Sequence, residues 1–291
     1  MQFLYLALIF VIAGIAQAMP VEKRAGGHLF GITYTGKHPD GSCHTAPQVL
    51  TEVQRFKKNG ITNIRTYAAA ECNLLTNILA AFQKVDGMKV LAGVWINGDN
   101  AANQKEKSAA VKIVKGADKK FINGVMVGNE VVQSNLLSAA ALAGHINDVK
   151  GQLPGVQVGT VETPDSFKPE LIAAAQKLGV NIHPFFANTV TAANGVKNLH
   201  DSFNAFKAKA NGKPVIVTET GWPSAGQANG AAVPSVANLQ TFVKDILPVT
   251  DINYYYFESQ DANWKSGGAF NVEPHWGLTD ASGKSKIPQY Q

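Results

Sequence analysis

Cysteine, charge and long apolar runs are all scarce in this sequence. Two cysteines among 291 residues cannot staple a disulfide-dense scaffold, and a chain this long buries enough surface to need none. With no His-Glu-x-x-His helix beside them, neither a metal nor a cofactor is expected. Charged residues make up 16% of the chain, which excludes a disordered charged tail and a coiled coil. The net charge is +5 and the pI about 9.0. The longest basic runs are nevertheless the pairs Lys57-Lys58 and Lys119-Lys120, too short for a nucleic-acid footprint. Gly31 to Lys37 nearly spells a phosphate-binding loop, but His38 stands where the Mg²⁺-binding hydroxyl belongs. Ser224 fails the Gly-x-Ser-x-Gly spacing of a nucleophile elbow.

One apolar run does stand out, at residues 3–16, followed by Ala16-Gln17-Ala18. It is shorter than the ~20 residues of a membrane span and has a small-residue cleavage pattern, so residues 1–18 read as a signal peptide. Residues 19–24 end in Lys23-Arg24, a dibasic site closing a short propeptide, and residues 25–291 read as one catalytic domain. The tail before Gln291 is not apolar, so no membrane anchor is expected. The expectation is a secreted protein, extracellular or in a cell wall. In that compartment Cys43 and Cys72 are expected to pair.

Beyond residue 25, β-rich runs appear at 29–33, 63–67, 88–95, 124–128, 156–161, 180–185, 214–218 and 252–257. Between them lie stripes at helical spacing. Val49, Leu50, Val53 and Phe56 form one, and Leu74, Leu75, Ile78, Leu79 and Phe82 another. Leu142, Ile146 and Val149 make a third, and Val236, Leu239, Phe242, Val243 and Ile246 a fourth. Eight strand–helix units predict an α/β fold, a single (β/α)₈ TIM barrel. The alternative, an open doubly wound sheet, would want a Gly-x-Gly-x-x-Gly turn after the first strand. That turn is missing.

Barrel active sites lie at the C-terminal ends of the strands. Glu130 ends the fourth run and Glu219 the seventh. Two carboxylates facing each other across a barrel mouth are the equipment of glycoside hydrolysis.

Here the residues carry a family likeness. Val215-Ile216-Val217-Thr218-Glu219-Thr220-Gly221-Trp222-Pro223-Ser224 resembles the signature of glycoside hydrolase family 17, the β-1,3-glucanases. Asn129-Glu130 is similar to the Asn-Glu pair of the wider clan of retaining barrel glycosidases. Asp40-Gly41-Ser42-Cys43 and Glu71-Cys72-Asn73 resemble the fungal cell-wall branch, which includes β-1,3-glucanosyltransferases. The resemblance implies Glu130 as proton donor and base, and Glu219 as nucleophile. It also implies β-1,3-glucan oligo- and polysaccharides as partners and a cleft lined by Tyr34, Arg65, Tyr67, Glu258, Trp264, Lys265 and Glu273. His183 takes a place where many relatives carry Tyr, so a core role and a cleft role stand level. Ala262 stands where relatives commonly carry Glu, which weakens the carry-over of the charged cluster around Lys265. A monomer is expected.

A retaining mechanism requires the two carboxyls ~5–5.5 Å apart. Glu219 must be ionised, with Arg65 as the charge that lowers its pKa, while Glu130 must be protonated at rest. Asn129 is expected to bind the sugar 2-OH. Tyr34, Trp222, Trp264 and Trp276 offer flat faces for pyranose rings. The rival reading from another class is a non-catalytic glucan-binding wall protein; two opposed acids, for which a lectin has no need, argue against it.

Overall fold

A computed structural model describes residues 26–288 and 290. The signal peptide and propeptide expected at 1–18 and 19–24 lie outside these residues. Eight strands close into a barrel in chain order, all parallel, with the first paired to the last. They are β1 Gly31–Thr33, β2 Asn63–Arg65, β3 Lys89–Val94, β4 Ile122–Asn129, β5 Val158–Glu162, β6 Lys177–Asn181, β7 Val215–Thr220 and β8 Tyr254–Tyr256. The (β/α)₈ architecture is the expected one.

The four apolar stripes fall on α1 Ala46–Lys58, α2 Leu74–Phe82, α4 Ala139–Gln152 and α7 Val236–Ile246. Each packs its stripe on the sheet: Val49, Val53 and Phe56 of α1 and Leu142, Ile146 and Val149 of α4 are wholly buried. Val236 is an exception. It opens α7 at 44% exposure, because the buried face starts three residues later, at Leu239. Ser235 caps this helix through the Asn238 N–H at 3.1 Å. Three further helices, α3 Asn100–Gly116, α5 Pro169–Ala174 and α6 Gly195–Lys209, complete the outer layer. Beyond β8 the described residues form short 3₁₀ turns at Ala269–Asn271 and Glu273–His275 in place of an eighth α-helix. No helix among the described residues is long and apolar enough to cross a membrane.

β6 lies three residues earlier than the apolar pattern placed it. Lys177 looks like the end of a helix, yet it is buried and its Nζ donates to the Asn123 carbonyl at 2.7 Å. Pro184 then opens a 3₁₀ turn (Pro184–Phe186), since proline has no N–H to continue a ladder. The shift puts Asn181 level with Glu219 across the β6–β7 pair.

Cys43 and Cys72 form a disulfide with Cα atoms 5.3 Å apart, joining the loops after β1 and β2. Intact-mass measurement after alkylation should find no free thiol until reductant is added. Reduction should cost about 3–4 kcal/mol on a chain-entropy account, lowering the melting temperature by several degrees; two alkylatable thiols in the native protein would refute the bridge.

Candidate active site

The C-terminal ends of the strands open into a cleft of about 720 Å³, within the usual range for a ligand site. Glu130 and Glu219 both line it, with Asn129, Tyr67, His183, Trp264, Lys265, Glu273 and Trp276.

The chain around Glu130 is bent to present the acid. Gly128 has φ 82° and Glu130 itself φ 52°, two left-handed residues flanking Asn129 at the end of β4. The Glu130 N–H is held by the Val161 carbonyl at 2.9 Å, and Asn181 Nδ2 donates to its carboxyl at 2.8 Å. Burial raises the pKa of Glu130, and the charge of Glu219 raises it further, against the Asn181 hydrogen bond. Of the two acids, Glu130 is the one whose carboxyl is harder to ionise.

Glu219 is the opposite case. Burial alone would raise its pKa, but the charge of Arg65 and the hydrogen bond from His183 outweigh it, bringing the group from 4.5 to about 2. Arg65 Nη1 donates to Oε1 at 2.7 Å, Tyr67 OH to the same oxygen at 2.9 Å, and His183 Nε2 lies 3.1 Å from Oε2. Arg65 is 2% exposed and sits behind the acid, outside the cleft lining. Its Nη2 reaches Asn129 Oδ1 at 2.6 Å, and Asn181 Nδ2 approaches that oxygen at 3.2 Å. One chain of hydrogen bonds therefore runs from Glu219 through Arg65, Asn129 and Asn181 to Glu130.

The remaining expected site residues divide between cleft and core. Trp264 is 39% exposed at the cleft, with Lys37 Nζ 4.6 Å from its ring centroid. Trp276 forms the floor, its ring edge-on to His183 and Phe257. His183 takes the cleft role. Lys265 lines the cleft and pairs at 2.6 Å with Glu258, which lies buried behind it. Burial pushes Glu258 to about 7, with Lys265 pulling the other way. Ala262 is itself buried, so the carboxylate that meets Lys265 comes from β8's end at Glu258.

Four residues expected at the cleft do not line it: Arg65 and Glu258 lie buried behind it, and Tyr34 and Trp222 belong to the core. Tyr34 is in the core: its ring meets Phe56 of α1 and its hydroxyl bonds His44 Nδ1 at 2.6 Å. Trp222 is wholly buried against Phe185 and Phe242, and its Nε1 donates to the Val233 carbonyl at 3.0 Å. Neither ring is open to a sugar.

Several cleft residues escaped the sequence reading. Trp95 and Phe186, at 42% and 43% exposure, stand just beyond β3 and β6; an aromatic at a strand's C-terminal end was the available signal. Glu106 of α3 accepts from the amides of Ala69 and Ala70, the latter at 3.3 Å, bracing the β2 loop. Asn181, behind the lining, falls second in the 180–185 run, where nothing in the pattern marks it as the end of β6. Among the described residues no group of three or more His, Cys, Asp or Glu is placed to hold a metal ion.

Comparison with known proteins bears on this geometry. The profile of the BtgE/BtgC glycoside hydrolase domain matches residues 31–277. Proteins named probable beta-glucosidase btgE are 34% identical in Aspergillus flavus, over 89% of this chain and 44% of the relative. In Emericella nidulans the figures are 33%, 90% and 49%. The chain thus spans less than half the length of these curated relatives. A β-1,3-glucanosyltransferase from Rhizomucor miehei, solved as an active-site mutant with laminaritriose, superposes with a TM-score of 0.80 at 28% identity, covering 90% of this chain and 97% of that one. An endo-laminarinase from Formosa shares the fold at a TM-score of 0.72 and 19% identity, over 89% and 86% of the two chains. With the barrel, the paired acids and a family profile over most of its length, the chain belongs to the BtgE/BtgC glycoside hydrolase family.

Proposed function

We propose that this chain is a secreted, monomeric, retaining enzyme of glycoside hydrolase family 17 that acts on β-1,3-glucan in cell-wall remodelling. It cuts internal linkages and passes the glycosyl segment to water or to another glucan. The observation that carries this reading is the divided proton affinity of two acids in one cleft: Glu219 lowered to about 2, Glu130 raised. That division supports the following roles. Glu130 gives its proton to the leaving glycosidic oxygen while Glu219 attacks the anomeric carbon; Glu130, now a carboxylate, takes a proton from water or from a sugar 3-OH as the acceptor displaces Glu219. Asn129, held at Oδ1 by Arg65, keeps its amide hydrogens for the sugar 2-OH. Trp264, Trp95 and Phe186 supply half-exposed rings around the cleft for stacking on pyranose faces. The likeness to the Rhizomucor miehei enzyme supports both the glucan and the transfer. A disulfide between the β1 and β2 loops agrees with secretion.

Water and a sugar hydroxyl compete for one intermediate, and a positioned acceptor has a large effective concentration. Incubation with laminari-oligosaccharides should give products longer than the substrate, in a share that grows with concentration. Proton NMR should show the β-anomer first at each new reducing end. An α-anomer first would refute retention; only shorter products at every concentration would leave a hydrolase.

A further inference from the structure

Glu162 takes no part in the chemistry above, yet it is wholly buried one strand away from Glu130, at the end of β5. Its Oε1 accepts the Val132 N–H at 2.8 Å and its Oε2 the Gln133 N–H at 3.1 Å. Both amides belong to the turn 131–135 that leaves Glu130. The Gln133 side chain adds a second tie, its Oε1 accepting from Thr163 Oγ1 at 2.9 Å and from Ser166 Oγ. The turn is therefore lashed to β5 and to the loop beyond it.

Burying a carboxylate is costly unless its partners answer it. A hydroxyl or an amide could close such a turn at less cost. What the carboxylate supplies is a rigid fork of two acceptors, each aimed at one of two consecutive amides. The fork sets the direction in which the chain departs from Glu130, as well as its proximity. Direction matters at that residue because φ 52° is a conformation that a residue with a side chain keeps only where its surroundings impose it.

We propose that Glu162 is a positioning residue: through the turn 131–135 it fixes the backbone of Glu130, and so the aim of the Glu130 carboxyl at the leaving-group oxygen. This rests on the reading of Glu130 as the acid, and it adds a third carboxylate to the working parts of the site.

The test is leaving-group dependence, which a residue that only stabilises the fold does not alter. Glu162→Gln keeps the size but sets a donor against one of the two amides. For this variant kcat/KM on a laminari-oligosaccharide should fall about 100-fold, the cost of misaiming a reacting group by roughly 1 Å. On a nitrophenyl β-glycoside, whose leaving group needs no proton, the fall should be less than about 5-fold. Glu162→Asp, which keeps both acceptors one methylene further back, should show the same selectivity and covers a failure of Glu162→Gln to fold. Equal losses on the two substrates, or no loss, in a folded variant overturns the proposal. Glu130→Ala measured in parallel separates the two readings. If Glu130→Ala is selective and the Glu162 variants are not, positioning fails and the acid stands; if Glu130→Ala shows no selectivity, the acid reading falls and the positioning role with it.

Discussion

Glu219→Ala should lower turnover of laminari-oligosaccharides by on the order of 10⁵-fold, the scale of removing a nucleophile from an otherwise intact site. No neighbour can replace it. Tyr67, whose hydroxyl donates to Glu219 Oε1, has its pKa raised far above the ordinary phenol value, chiefly by burial and then by the charge of Glu219. The alanine leaves a space on the α face of the anomeric carbon, and azide should enter there and return an α-glycosyl azide from an activated β-glycoside. Glu130→Ala leaves the first step open to activated substrates, and azide should then displace Glu219 from the β face to give the β-azide. The stereochemistry of the two products is the decisive reading; exchange between the two variants would reverse the roles. Loss of Glu219 also leaves the buried Arg65 guanidinium without its carboxylate. The variant must therefore be shown to fold before its rate is interpreted.

The strands were legible because a central barrel strand is buried along its length and its sequence shows it: Val-Ile-Val before Thr218 and Glu219, Val-Met-Val before Gly128. Helices were legible only where the buried face is apolar. In α3 that face includes Asn103 and Lys107. Asn103 closes the turn at Asn97 and Lys107 pairs with Asp148 of α4, so polar side chains occupy places a stripe would give to leucine. β6 was misplaced for a like reason, with a buried Lys177 standing where a core residue was sought. At the site, the two acids were legible from strand ends and a dense motif. The aromatics were not, because a motif gives a ring's position and packing alone decides its direction. Trp222 follows Gly221, whose Cβ would lie 2.2 Å from the Phe257 carbonyl. That close approach of the β7 and β8 ends belongs with an indole turned into the core against α7. Asn181 and Glu162 carry no motif, and their roles depend on register between neighbouring strands, which three-dimensional pairing alone reveals.

Arg65→Met should be the second largest loss, about 10³-fold in kcat/KM at neutral pH, although the residue is outside the cleft lining. Three acceptors depend on one guanidinium: the Glu219 carboxylate, the Thr218 carbonyl at 2.9 Å and Asn129 Oδ1. Methionine fills the volume but removes the fork and the charge. What remains around Glu219 is the burial that raises its pKa, opposed by the Tyr67 hydroxyl and His183. The acid limb of the pH–rate profile should accordingly move up from its wild-type position towards neutrality as the nucleophile becomes harder to ionise. Stability must follow with the same sign. In the wild type the folded pKa of about 2 lies below the ordinary 4.5, so the contribution of Glu219 is fully present above pH 4.5 and is lost as the pH falls through about 2. In the variant burial should prevail over the His183 hydrogen bond and place the folded pKa above the unfolded one. Its contribution is then present at low pH and lost as the pH rises past 4.5 through the new folded value, a slope added to the one that Glu258 and Glu130 already give the wild type. Arg65→Lys, with the charge but one donor centre for three acceptors, should keep the wild-type pH dependence and lose part of the rate. Urea unfolding of all three proteins between pH 4 and 8 reads the slope directly. Glu258, raised to about 7, already makes the wild type lose stability with rising pH, so the reading is the difference between the proteins. A Met variant that falls no more steeply than the wild type would mean that the ionisation of Glu219 does not depend on Arg65.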